Sequence, residues 1–119
     1  MDTPQGRRQA ASQLLPTAEL KGGLLPDRAG MRATGEISLA TQPVWELLLE
    51  ELVDGDEPVC HLELSGVTFI DVRGAASLAA AAEALGEGRR IVLWQPPASL
   101  RRTLELFWPG LSVIEVAQS

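Results

Sequence analysis

Residues 62–85 read LELSGVTFIDVRGAASLAAAAEAL, and how this stretch is read decides the fold. An apolar run of strand character (Val59, Leu62, Leu64, Val67, Phe69, Ile70) stops at Asp71. An alanine-rich segment with the composition of a helix follows at once and extends to Leu85. Asp71 suits the N-cap: its carboxylate can accept the free backbone N–H of Arg73 or Gly74. Gly74, with no side chain, lets the first helical turn approach a neighbour closely. A strand that feeds directly into a helix start is where α/β proteins build binding sites. The stretch therefore predicts a functional edge, and it does so without an obvious catalytic group.

The flanking sequence extends this alternation. Gly30–Ile37 (GMRATGEI) alternates as a strand with a glycine bend at Gly35. Thr41 is expected to cap a helix with Pro43 in its first turn, and Val44, Leu47, Leu48 and Leu52 to form its buried face. Asp54-Gly55-Asp56 ends it. The run from Val59 to Leu64 is apolar enough to predict a central strand buried on both faces. Gly86 and Gly88 supply a turn, and Arg90–Trp94 (RIVLW) a short buried strand. A third helix (SLRRTLELFW) is expected to open at Ala98 or Ser99, with Leu100, Leu104 and Phe107 facing inward. Leu111–Val116 gives a last strand. Before all of these, LLPTAELKGGLL (14–25) is broken by Pro16 and Gly22-Gly23, which suits a short edge strand. Residues 1–13 are expected to be a flexible tail, ahead of one folded domain at 14–117. Helix–strand alternation of this kind predicts an α/β fold with a mostly parallel or mixed sheet and crossover helices.

Composition narrows the function. A chain of 119 residues holds one domain with one core. The net charge of −6 argues against a nucleic-acid partner. No apolar run approaches the roughly 20 residues needed to cross a bilayer, so no membrane insertion is expected. The opening MDTPQGRRQAASQLLP lacks the apolar core of a secretory signal, and the single Cys60 forms no internal disulfide. Both point to the cytoplasm.

The chemistry-bearing residues are sparse. Cys60 and His61 are adjacent on a strand, point to opposite faces and cannot share a ligand sphere, so neither metal nor cofactor is expected. Glu36, Glu63 and Asp71 have no nucleophile or second histidine to work with, so the chain is not expected to be an enzyme. Residues 46–63 hold seven acidic side chains and no lysine or arginine, the pattern of a solvated face. The Arg89-Arg90 and Arg101-Arg102 pairs are weak anion-site candidates in an acidic chain. Trp45, Trp94 and Trp108 read as packing, with Trp108 the most exposed of the three and so an interface candidate. Two readings of the alanine helix stay open. Its small residues either present an apolar strip to a partner or simply form a good helix against the core.

Four segments in order resemble the STAS domain, the family of bacterial anti-sigma-factor antagonists and sulphate-transporter tails. GEISLAT (35–41) resembles the family's Gly-Glu-hydrophobic-Asp turn into its first helix. LELSGVTFIDVRG (62–74) resembles its apolar-Asp corner and helix-start glycine. RRIVLWQPPASLRRTLEL (89–106) resembles its fourth strand and following helix, and LSVIEV its closing strand. The resemblance covers about residues 24–116. It implies a curved mixed sheet of four to five strands with helices on one main side, and protein–protein recognition rather than catalysis.

One departure has a chemical consequence. In the family the segment reads Asp-Ser-Ser-Gly, and the serine after the Asp is phosphorylated. Here it reads Asp71-Val72-Arg73-Gly74. A phosphate would add about −1.5 to −2 charge and could disrupt a packed interface, but Val72 has no hydroxyl to carry one. Ser65, Thr68 and Ser77 are weak candidates for a displaced phosphoacceptor. The resemblance implies a regulatory module docking on an anti-sigma factor of the ATPase-fold kinase type through Glu36, Ser38, Asp71, Val72, Arg73, Gly74 and Ala76, and so controlling a sigma factor. The alternatives are a small STAS subunit of a membrane transport complex and a small-ligand or nucleotide sensor.

Overall fold

The computed structural model describes residues 19–117. The 1–13 tail and the first residues of the 14–117 domain lie outside that range. Five strands, β1 (Leu20–Leu24), β2 (Gly30–Ile37), β3 (Val59–Ile70), β4 (Arg90–Trp94) and β5 (Ile114–Val116), form one sheet in the order β1-β2-β3-β4-β5. β1 runs antiparallel to β2, and the remaining neighbours pair in parallel. Helices α1 (Gln42–Val53), α2 (Val72–Glu83) and α3 (Ala98–Phe107) make the three crossovers between the parallel strands. Because the parallel strands follow in order across the sheet and such crossovers are right-handed, all three helices pack on one face.

That asymmetry corrects the two-sided expectation for β3. Cys60, Leu62 and Leu64 are buried beneath the helices, whereas His61 and Glu63 are half-buried on the other face. The strand is central, but only one face carries the core. Trp45, Ile37, Leu62, Leu64, Leu78, Ile91, Leu93 and Leu100 are its fully buried large side chains.

Two further expectations change. The inner face of α1 is Trp45, Leu48, Leu49 and Leu52, with Val44 and Leu47 turned to solvent. Both stripes have helical spacing and share Leu48 and Leu52. The stripe containing Trp45 prevails because it buries the largest apolar surface and gives the indole N–H a partner. In α3, Leu100 and Leu104 are buried but Phe107, in the last helical position, is exposed; Trp108 instead turns in and packs half-buried against the core. The closing strand is only Ile114–Val116, and β1 is the expected edge strand.

Candidate functional site

The parallel pairing of β2 and β3 brings their carboxyl ends together. Ile37 pairs with Ile70, and the N–H of Asp71 then donates to the carbonyl of Ile37 at 3.1 Å, extending the ladder by one bond. Both chains turn away at this point. After β2, Ser38 leads into a single 3-10 turn, Leu39–Thr41. The Thr41 hydroxyl does not cap α1. It accepts from the Ser38 N–H at 2.9 Å and donates back to the Glu36 carbonyl at 2.7 Å, which locks the loop. After β3, Asp71 stands in extended conformation as the N-cap of α2, its Oδ1 accepting from the Gly74 N–H at 2.8 Å.

Gly74 sets how close α2 comes to the sheet. A β-carbon there would lie 2.6 Å from Ile37 Cγ2 and 2.9 Å from Ile70 Cγ1. Its carbonyl accepts the Trp45 indole N–H at 2.9 Å, which ties α1 to the first turn of α2. One turn on, Gln42 Nε2 donates to Ser77 Oγ at 2.6 Å.

The expected contact residues thus assemble at one end of the sheet, with different exposures. Glu36, Val72 and Arg73 are exposed, Ser38, Asp71 and Ala76 half-buried, and Gly74 buried. Around them stand three large apolar side chains open to solvent: Leu39 (66 % exposed), Phe69 (49 %) and Val72 (53 %). In the sequence, Phe69 is marked only as part of the strand's apolar run. Relative to β2, β3 carries an extra residue twice, opposite Arg32/Thr34 and opposite Gly35/Glu36. Each extra residue reverses which face later side chains meet. The buried series therefore runs Leu64, Val67, Ile70, and Phe69 is turned outward.

The remaining candidates fall into structural roles or away from this end. Thr68 is exposed, with its hydroxyl 3.3 Å from the Gly35 carbonyl, and Ser65 is exposed with its N–H on Glu63. Cys60 is buried under the helices, while His61 accepts the Trp94 indole N–H through Nδ1 at 2.9 Å on the opposite face. Burial and the Arg28 and Arg90 charges hold the His61 imidazole below its ordinary pKa. Arg89 is spent on the Glu57 and Val53 carbonyls, and Arg90 pairs with Glu115 at 3.1 Å. That arginine pair is therefore committed internally rather than open to an anion. The Asp71 carboxylate is committed to its cap, and Glu63 lies back along β3, beside Trp94 in the β3–β4 register. Among the described residues, no group of three or more His, Cys, Asp or Glu side chains is placed to hold a metal ion, and no helix is long and apolar enough to cross a membrane.

Comparison with known proteins agrees with this architecture. The family model described as "Mlab, STAS domain" matches residues 23–108. An anti-sigma factor antagonist from Mycobacterium paratuberculosis superposes with a TM-score of 0.70 at 23 % identity, over 85 % of this chain and 87 % of that one. The anti-sigma factor antagonist SpoIIAA in its unphosphorylated form aligns over 87 % of this chain and 90 % of its own, at 17 % identity, but with a TM-score of only 0.47. No curated protein matches the sequence.

Proposed function

The chain belongs to the STAS domain family, and from that premise we propose that it is a non-catalytic, cytoplasmic protein-binding module acting as an anti-sigma-factor antagonist. It docks on an anti-sigma factor of the ATPase-fold kinase type through the end of the sheet where β2 and β3 finish. By competing for that factor it frees a sigma factor for transcription.

The observation that carries this reading is the exposure of Leu39, Phe69 and Val72, which like Glu36 and Arg73 lie within three residues of the paired strand ends Ile37 and Ile70 on a braced scaffold. Exposed apolar groups rimmed by polar ones mark protein interfaces. The scaffold needs little reorganisation on binding, because the Ile37–Asp71, Asp71–Gly74 and Trp45–Gly74 bonds already fix both turns. Asp71 and Gly74 then act by positioning the first turn of α2, and Val72, Arg73 and Ala76 by contact. With valine at position 72, docking is not set by phosphate at that residue.

The test is affinity capture from the native host with the wild type and with Ala76→Glu in parallel. Recovery of an ATPase-fold anti-sigma factor by the wild type, and its loss with the variant, is the expected result. Recovery of a transport ATPase and permease instead would replace this reading with that of a transport-complex subunit.

A further inference from the structure

The docking reading leaves the groove between α1 and α2 without a role. Leu49, Ala81 and Ala84 line it with apolar surface, and Glu46, Glu50 and Ser77 stand along it. Because α2 offers nothing larger than serine on this side, the two helices leave about 410 Å³ open between them. At one end Gln42, nine-tenths buried, donates through Nε2 to Ser77 Oγ at 2.6 Å and to Glu46 Oε2 at 3.4 Å. Among the described residues its own Oε1 has no hydrogen-bond partner, and no cation pairs with Glu46 or Glu50.

A complementary surface stands on α3. Leu100 and Leu104 face the core, which turns Arg102 and Leu106, half a turn from them, to solvent. The two are one turn apart and so share a face. Leu106 is 72 % exposed, and Arg102 makes no ion pair among the described residues. Arg101, by contrast, lies with Glu105 on the flank towards β5.

We propose that a second copy of this chain seats the Arg102–Leu106 face of α3 in the α1–α2 groove. Arg102 enters between Glu46 and Glu50, and Leu106 covers the alanines. The chain cannot fill its own groove, because α1 and α3 lie on opposite sides of α2 and the Arg102 face points away from the core. Both halves of the contact are present on one chain, and this selects a second copy over a foreign helix. The spacings match: Arg102 to Leu106 and Glu46 to Glu50 are each one helical turn, roughly 6 Å along the axis. An arginine also suits the end of the groove chemically. It has five donors to place, and the unpaired Gln42 oxygen belongs to the same amide that bonds Glu46. The contact joins two different surfaces of each copy, so it builds head-to-tail assemblies rather than a two-fold dimer.

The test is sedimentation equilibrium of the full chain, without any partner, over a wide range of concentrations. The average mass of the wild type should rise above that of the monomer as concentration increases. Arg102→Glu alone, and the double variant Glu46→Arg, Glu50→Arg alone, should each stay monomeric, and an equal mixture of the two should associate again. The first variant moves the net charge from −6 to −8 and the second from −6 to −2. Both remain anionic, so recovery in the mixture has to come from the matched faces. Leu106→Ser, which changes no charge, should weaken wild-type association about tenfold. A wild type that is monomeric throughout would overturn the proposal. So would association that persists in both charge variants, or a mixture of folded variants that fails to recover it. None of these positions belongs to the proposed docking end, so the Ala76→Glu capture test and this one fail separately.

Discussion

The indole N–H of Trp45 donates to the backbone carbonyl of Gly74 at 2.9 Å, a bond that spans 29 residues and is fully buried. It joins the end of the first turn of α1 to the first turn of α2, beside the end of the sheet where β2 and β3 finish. Trp45→Phe keeps most of the apolar volume but removes the donor. A buried hydrogen bond is worth roughly 1 kcal/mol net, with a similar amount lost to the smaller ring. A drop of about 2 kcal/mol in urea-unfolding stability is expected. A change within error would mean that the bond contributes nothing.

Gly74→Ala sets two effects against each other. Alanine gains about 1 kcal/mol over glycine in a helix. The new methyl would sit 2.6 Å from Ile37 Cγ2 and 2.9 Å from Ile70 Cγ1, both in the packed core, and overpacking of that kind typically costs about 1–3 kcal/mol. The clash is expected to win, with a lower melting temperature. A melting temperature at or above that of the wild type would show that α2 can lift away freely.

Ala76→Glu and Asp71→Ala should separate binding from stability. Ala76 is half-exposed one turn into α2, so glutamate there should leave the melt near that of the wild type while weakening partner binding by a few kcal/mol, roughly the cost of an unpaired charge in an interface. Asp71→Ala loses the 2.8 Å cap to Gly74 and should cost about 1 kcal/mol of stability as well. Normal binding by Ala76→Glu would place the interface elsewhere, and unfolding would make Ala76 a core residue.

His61 predicts an acid-side loss of stability. Burial, followed by the Arg28 and Arg90 charges, lowers its folded pKa from the ordinary 6.5. Between the two values the unfolded chain binds the extra proton, so stability is complete above about 6.5 and declines as the pH falls through the lower folded value. Protonation also removes the Nδ1 acceptor that holds the Trp94 indole at 2.9 Å. As the chain has a single histidine, its imidazole resonances can be titrated unambiguously. A midpoint above the ordinary value, or a His61→Gln variant with the same pH–stability curve as the wild type, would contradict this.

Val72→Ser should create a phosphoacceptor at the exposed start of α2, where the wild type has none. Incubation with the cognate kinase and ATP, followed by mass spectrometry, should find phosphate on the variant alone. Phosphate on wild-type Thr68 or Ser65, both exposed, or on Ser77 would show that the switch has moved; at Ser77 it would disrupt the 2.6 Å bond from Gln42.

Much of this molecule is local and so legible from residue order. The Asp71 cap, the extent of β2 and β4, the edge position of β1 and the alternation that implies crossovers all depend on backbone propensities and spacings within a few residues. That the proposed contact residues lie at one end of the sheet follows from the same alternation, because parallel strands finish together. What spacing could not decide was any choice between two faces of equal periodicity. Trp45 rather than Val44 and Leu47 lines the core because the partner for its N–H lies 29 residues away on another helix. The outward turn of Phe69 depends on two extra residues in β3 that exist only relative to the register of β2. The alanines of α2 divide, with Ala75, Ala79 and Ala82 buried and Ala80 and Ala84 exposed, because the neighbours α1 and α3 cover one side of a helix whose sequence is nearly the same all round. Which surfaces remain open is a property of the packed neighbours, and a single chain segment carries no record of them.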